Sequence, residues 1–195
     1  FEVMEERQVT VDGVTHPMSF PFIVLATQNP IEQEGTYRLP EAQLDRFLFK
    51  VEVGYPSLQE EVAILNRQQG KTQVQMLDGV RKVISAADIH HFRGLVQSVI
   101  IEPKLVEFIA RIVHETRNNS ALYLGASPRA SLAILRAAKA NAAIKGRDFV
   151  TPEDVLEMVP HVLRHRVMLT PEKEMEGITE DDLIDNIIKS IEVPR

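Results

Sequence analysis

Apolar and polar positions follow two different periods along this chain, and the change of period divides it. In QVTVDGVTH (8–16) they alternate on both sides of Asp12-Gly13. Alternation about an Asp-Gly pair predicts two antiparallel strands joined by a two-residue turn. FIVLAT (22–27) is instead a continuous apolar run. That pattern predicts a strand buried on both faces, as in a parallel sheet. FLFKVEV (47–53) is a second strand candidate. A loop over 28–39 and a short helix separate the two, with Pro40 suited to the first helical position.

Beyond Gly54-Tyr55-Pro56 the period becomes helical. Ser57 and Glu60 have the spacing of a capping box, and Leu58, Val62 and Leu65 recur along one face. Residues 80–84 and 98–101 are short and β-branched, and are expected to pair as minor strands. Ser85 with Asp88 starts a helix. Pro103 opens another, whose Val106, Ile109, Ala110 and Val113 are expected to face a core. Ser127-Pro128 caps the longest helix, 129–145, which ends at Gly146. Thr151-Pro152-Glu153-Asp154 starts the next, and Thr179 with Asp182 the last. No internal repeat or low-complexity tract is visible. Residues 1–54 thus read as the tail of an α/β domain, and residues 55–195 as a helical domain. Two buried strands cannot make a sheet by themselves. The expectation is that further strands lie upstream and that residues 1–7 are a helix entered midway.

Composition narrows this picture more than it extends it. The 195 residues are 44% apolar and 26% charged, enough for a packed core in one domain or a domain and a half. No apolar run reaches the roughly 18 residues of a membrane span, and the charged residues 1–7 do not read as a signal peptide. The absence of cysteine removes disulfides, thiolate chemistry and Cys-based metal sites. A cytoplasmic location fits. A net charge of −6 argues against a dedicated nucleic-acid binder, whose affinity rests on neutralising phosphates.

Three short segments could carry chemistry. In Ala26-Thr27-Gln28-Asn29-Pro30 the amide of Asn29 would sit at the carboxyl end of a strand, where α/β sheets bind ligands. The plainer reading of Asn-Pro is a turn. In LPEAQLDRF (39–47), Arg46 closes a short helix. It either complements the helix dipole or projects a guanidinium that stabilises charge on a transferring phosphate. In GASPRA (125–130), Arg129 occupies the first turn of a helix, where the dipole favours acids. It is either a solvated side chain or a cation wanted there by an anion.

Other features point nowhere. Gly70-Lys71-Thr72 imitates the end of a phosphate-binding loop, but Leu65 stands where the first glycine belongs and a helix precedes it. His161 and His165 have a helical metal-ligand spacing without a third ligand, and surface or capping roles suit them better. His90 and His91 are adjacent and so face differently, and the acidic stretch 172–185 reads as a solvated face.

Taken together, MEERQVTVDGVTH, ATQNPIEQEGTYRLPEAQLDRF, LGASPRASLAILRAAKANAAIKGRDFVTPEDV and VLRHRV resemble the MoxR family of AAA+ ATPases. The resemblance runs nearly end to end. Arg38 departs from it, standing where proline is expected. The implied fold is the end of an α/β P-loop NTPase (AAA+) core followed by an all-α lid domain. Asn29 matches the sensor 1 asparagine that positions the attacking water. Arg46 matches the arginine finger, which acts on the ATP of a neighbouring subunit. Arg129 matches the sensor 2 arginine that touches the γ-phosphate from the lid. The hairpin over 8–16 matches an insert that tends to point into the ring's pore.

The resemblance further implies ATP with Mg2+, a homo-oligomeric ring (a hexamer), and remodelling of partner proteins, among them proteins with von Willebrand factor A domains. The glycine-rich loop (Walker A) and the magnesium-binding acid (Walker B) are absent from these residues, so the chain alone is expected to be inactive. Two alternatives stay open. One is a non-enzymatic interaction module. The other is a DNA-remodelling AAA+ protein gripping DNA with the hairpin, although that hairpin has Asp12 and no lysine or arginine.

Overall fold

The computed structural model describes residues 2–28, 39–69 and 79–194. The chain begins with a short helix α1 (Glu2–Glu6) and a hairpin of β1 (Gln8–Val11) and β2 (Val14–Pro17). Val11 pairs with Val14 across the turn. Asp12 and Gly13 have φ of 50° and 78°, both left-handed, as a two-residue hairpin turn of the right twist requires. The Asp-Gly reading is therefore observed.

The two longer strand expectations are not met. Residues 22–27 and 47–53 form no strand and join no ladder among the described residues. Ile23, Leu25, Val51 and Val53 are exposed. A strand has no backbone partners of its own and exists only where a neighbour supplies them. Between these segments α2 (Glu41–Leu44) is one turn long, and Pro40 is its N-cap rather than its first residue.

The helical region keeps its predicted starts. α3 (Leu58–Gln68) and α4 (Ala86–Ser98) open on reciprocal capping boxes, Ser57 with Glu60 and Ser85 with Asp88. In each the side chain satisfies an end N–H that the helix cannot. The apolar face of α3 stays exposed, Leu58, Val62 and Leu65 included. From residue 99 onward the chain closes a core. α5 (Pro103–Asn118), α6 (Pro128–Ile144), α7 (Pro152–Leu163) and α9 (Glu180–Ser190) bury Phe108, Ile112, Ile134, Val155, Val159 and Ile184 among themselves. α6 contributes Ala130, Ala133, Ala137, Ala138 and Ala142, small side chains that let its neighbours approach closely. On α5 the inward face is rotated from expectation. Ile109 and Val113 are buried with Leu105, Phe108 and Ile112, whereas Val106 and Ala110 face outward.

Two small pairings complete this region. β3 (Leu122–Leu124) and β4 (Met168–Leu169) form an antiparallel ladder ahead of the short helix α8 (Pro171–Met175). Residues 98–101 do not pair with 80–84. Ile100 bridges to Phe149 instead, with Val150 N donating to Ile100 O at 2.9 Å. A 3–5-residue stretch carries too little pattern to name its partner, and packing of α6 against α7 chooses it.

A buried carboxylate locks α6 to α7. Asp154 is fully buried and accepts from Arg147 Nη1 and Nη2 at 2.6 and 2.7 Å and from Thr151 N at 3.0 Å. Asn141 of α6 and its C-cap Lys145 extend the network to Glu157 on α7. Burial alone would raise the Asp154 pKa, but the bonds from Arg147 and Thr151 outweigh it and lower it to about 2.

Candidate functional site

The part of the chain that could meet a ligand lies where the turn after α2 docks on the beginning of α6. The turn (45–50) follows a one-turn helix and has little core of its own. Its position is imposed by α6 and by the segment between α7 and β4. One bond, from Ser127 to Asp45, links it directly to the start of α6, and two more extend the relay. Arg166 Nε donates to Asp45 Oδ1 at 2.8 Å. Ser127 Oγ donates to Asp45 Oδ2 at 2.7 Å. Ser127 Oγ in turn accepts from Arg129 N at 3.2 Å as the N-cap of α6. The carboxylate beside Arg46 is thus one hydroxyl away from the backbone of Arg129.

Arg166 anchors this relay. Its side chain is only 3% exposed. It also donates through Nη1 to Leu48 O at 3.2 Å and to Val162 O at 2.6 Å, and through Nη2 to Asp45 O at 2.9 Å and to Phe47 O. A buried guanidinium is costly unless its donors are met, and here they are met largely by the turn itself. Burial pulls the Arg166 pKa down and Asp45 pushes it up, with the charge of Arg129 adding to the downward pull. Arg129 therefore lies within electrostatic reach of this centre.

Two further contacts seat the turn. His165 Nε2 donates to Phe47 O at 3.0 Å, and Lys50 N donates to His161 O at 3.1 Å. Burial, then the Arg166 charge, lowers the His165 pKa to about 4, so the ring is neutral at pH 7. The His161–His165 pair belongs to this seating, and among the described residues no group of three His, Cys, Asp or Glu could hold a metal.

The N-terminus of α6 is itself held rigidly. Thr116 Oγ1 accepts from Ala126 N at 3.0 Å, and Arg117 Nε donates to Ala126 O at 2.7 Å. A Cβ on Gly125 would come 2.6 Å from Thr116 O and 2.7 Å from Arg117 Cα, both backbone. Only glycine lets the loop approach α5 this closely.

Of the three residues singled out from sequence, Arg46 is half-buried in the turn and Arg129 is exposed on the first turn of α6. The fold brings their segments together. Asn29 lies outside the described residues, as does the rejected 70–72 motif. Sequence reasoning missed Asp45 and Arg166 as parts of one unit. The available signal was weak, since Arg166 follows Arg164 and His165 directly, with Val167 beside it and Val162 one helical turn earlier. Chemically, a helix N-terminus with an exposed arginine suits an anion such as a phosphate. A second guanidinium follows the adjoining carboxylate in sequence.

Comparison with known proteins fits this arrangement. Residues 1–49 match the model of the ATPase family associated with various cellular activities (AAA), and residues 114–187 match the AAA lid domain. A crystal structure of a candidate ATPase from Cytophaga hutchinsonii superposes with a TM-score of 0.88 at 37% identity, covering 100% of this chain and 61% of that one. The class is therefore the end of an AAA+ ATPase core followed by its helical lid. Among curated relatives, chaperone MoxR1 of Mycobacterium tuberculosis is 42% identical over 100% of this chain and 52% of its own length. The uncharacterized protein YeaC of Bacillus subtilis is 45% identical over 99% of this chain and 59% of its own length. The chain belongs to the MoxR family of AAA+ ATPases, and spans between half and three-fifths of these relatives.

Proposed function

We propose that this chain forms the distal half of an ATP hydrolase that works as a ring, a hexamer, and uses the cycle to remodel partner proteins in a chaperone-like way. The observation that carries the reading is the joining of the Arg46 turn to the N-terminus of the Arg129 helix through Asp45 and Ser127. In this reading Arg46 acts as the arginine finger on a neighbouring subunit's ATP, and Arg129 as the sensor 2 contact to the γ-phosphate. Asn29 orients the attacking water. ATP and Mg2+ are held mainly by residues outside this chain. Bound there, the nucleotide supplies the scissile phosphoanhydride, and the guanidiniums offset charge on the transferring phosphoryl group.

Residues 1–54 act as the end of the core and 55–195 as the lid. No helix among the described residues is long and apolar enough to cross a membrane, and we place the protein in the cytoplasm. Its partners include proteins with von Willebrand factor A domains.

The test is ATP turnover by the complete protein beside its Arg46→Ala variant, alone and mixed with a phosphate-loop-dead subunit. Arg46→Ala is expected to lose about 10³-fold or more in turnover while keeping nucleotide binding, with activity recovered on mixing. Parental activity in Arg46→Ala would refute the finger role. An inactive complete protein would turn the reading toward an interaction module. The chain alone should show no turnover.

A further inference from the structure

The established family accounts for Arg46 and Arg129 singly, but not for the buried arginine that stands between their segments. Arg166 spends its donors on the turn that carries Arg46. It reaches Asp45 Oδ1 at 2.8 Å, Asp45 O at 2.9 Å and Leu48 O at 3.2 Å, with a further bond to Phe47 O. The same Asp45 carboxylate receives Ser127 Oγ–H at 2.7 Å through its other oxygen, and Ser127 caps Arg129 N. Both carboxylate oxygens are thereby engaged, one by each side of the junction. A carboxylate held by a guanidinium and a hydroxyl has few ways to reorient, because each bond to the charged group is worth more than a neutral one. Apart from the contacts of His165 and His161 to Phe47 and Lys50, residues 48–53 are exposed and form no ladder.

We propose that Arg166 is a positioning residue that, through Asp45 and Ser127, presents Arg46 and Arg129 to phosphate as one fixed pair. The two guanidiniums then gain or lose their working geometry together. The assignment rests on the proposed function above, because it presumes that both arginines address ATP.

Fine alignment of charged groups on a transferring phosphate matters steeply, and displacement by about 1 Å can cost about a hundredfold in rate. Removing the anchor should therefore move two quantities at once: turnover, which needs Arg46, and the preference for ATP over ADP, which needs Arg129 at the γ-phosphate. A purely structural role would lower the melting temperature and the active fraction, yet leave the nucleotide preference of the folded remainder intact.

The experiment uses the complete ATPase and compares Asp45→Asn, Ser127→Ala and Arg166→Lys with the parent and with Arg46→Ala. It measures kcat and the ratio of ATP to ADP affinity by equilibrium titration with each nucleotide. Asp45→Asn keeps the side-chain shape and carries the test if Arg166→Lys does not fold. The expected result is a fall of about tenfold to a hundredfold in kcat, together with a several-fold loss of ATP preference, in Asp45→Asn and in Arg166→Lys. Ser127→Ala should show a smaller fall of the same kind. Combining Asp45→Asn with Ser127→Ala should add less than the product of the two effects, as for residues acting as a unit. Parental values in Asp45→Asn, or a fall confined to one of the two quantities, would overturn the pairing. If Arg46→Ala itself were as active as the parent, the finger role would fail instead, and the two failures are told apart by that variant.

Discussion

Residues 99–191 and residues 2–69 have similar shares of apolar side chains but opposite fates for them. In the first region Phe108, Ile112, Ile134, Val159 and Ile184 are almost completely buried. In the second, Leu25 is 92% exposed, Val53 91% and Leu58 73%. The difference follows from where each element finds its backbone partners and its cover. A helix meets its hydrogen bonds within itself and needs only neighbouring helices to cover one face, which α5, α6, α7 and α9 supply to each other. A segment such as 22–27 meets neither need alone. The comparison teaches that apolar sequence specifies burial only when the covering surface belongs to the same folding unit.

That contrast can be broken first at its strongest point. Phe108→Ala should destabilise the chain by about 3–5 kcal/mol, the usual cost of emptying a core aromatic site, as read from chemical denaturation. Leu25→Ala, equally apolar in sequence, should change it by less than about 0.5 kcal/mol. Similar effects at the two sites would erase the distinction.

The lock between α6 and α7 comes next. Arg147→Met leaves the fully buried Asp154 carboxylate without its bidentate partner and should cost about 3 kcal/mol. It should also change the acid response. With a native pKa of about 2 against an ordinary 3.8, folded Asp154 holds fewer protons than unfolded Asp154 between those values. Its contribution is therefore complete above about pH 4 and lost as pH falls toward 2. Arg147→Met closes the gap between the folded and unfolded pKa and should shrink the Asp154 part of the acid response in a titration followed by circular dichroism.

Gly125→Ala probes the seating of the α6 N-terminus against α5. The added Cβ would meet the backbone of Thr116 and Arg117 and should cost about 1–3 kcal/mol. An unchanged melting temperature would show that the loop can yield.

The smallest expected effect is a slope. His165 has a native pKa of about 4 against 6.5, so the unfolded chain binds the extra proton between those values. Stability should decline as pH falls from 6.5 to 4 and not respond to this group below that. His165→Gln should flatten that interval in thermal melts across pH.

What the sequence determined by itself was local or compositional. Asp12-Gly13 fixed the hairpin because left-handed φ at both positions suits that pair. Ser57, Ser85, Ser127, Thr151 and Thr179 marked helix starts because each N-cap answers an end N–H that no other backbone group reaches. The motifs around Arg46 and Arg129 were legible as a family resemblance, and the family matches agree with it. The tertiary structure alone decided which face of α5 turns inward, that Ile100 bridges to Phe149, and that 22–27 and 47–53 stay out of any ladder among the described residues. It also decided the Asp45–Arg166 pairing, between residues 121 positions apart. The reason is common to all of these. A side chain's local pattern records its preference for burial or solvent, but the identity of its partner depends on how distant elements pack, and that is absent from any short window of sequence.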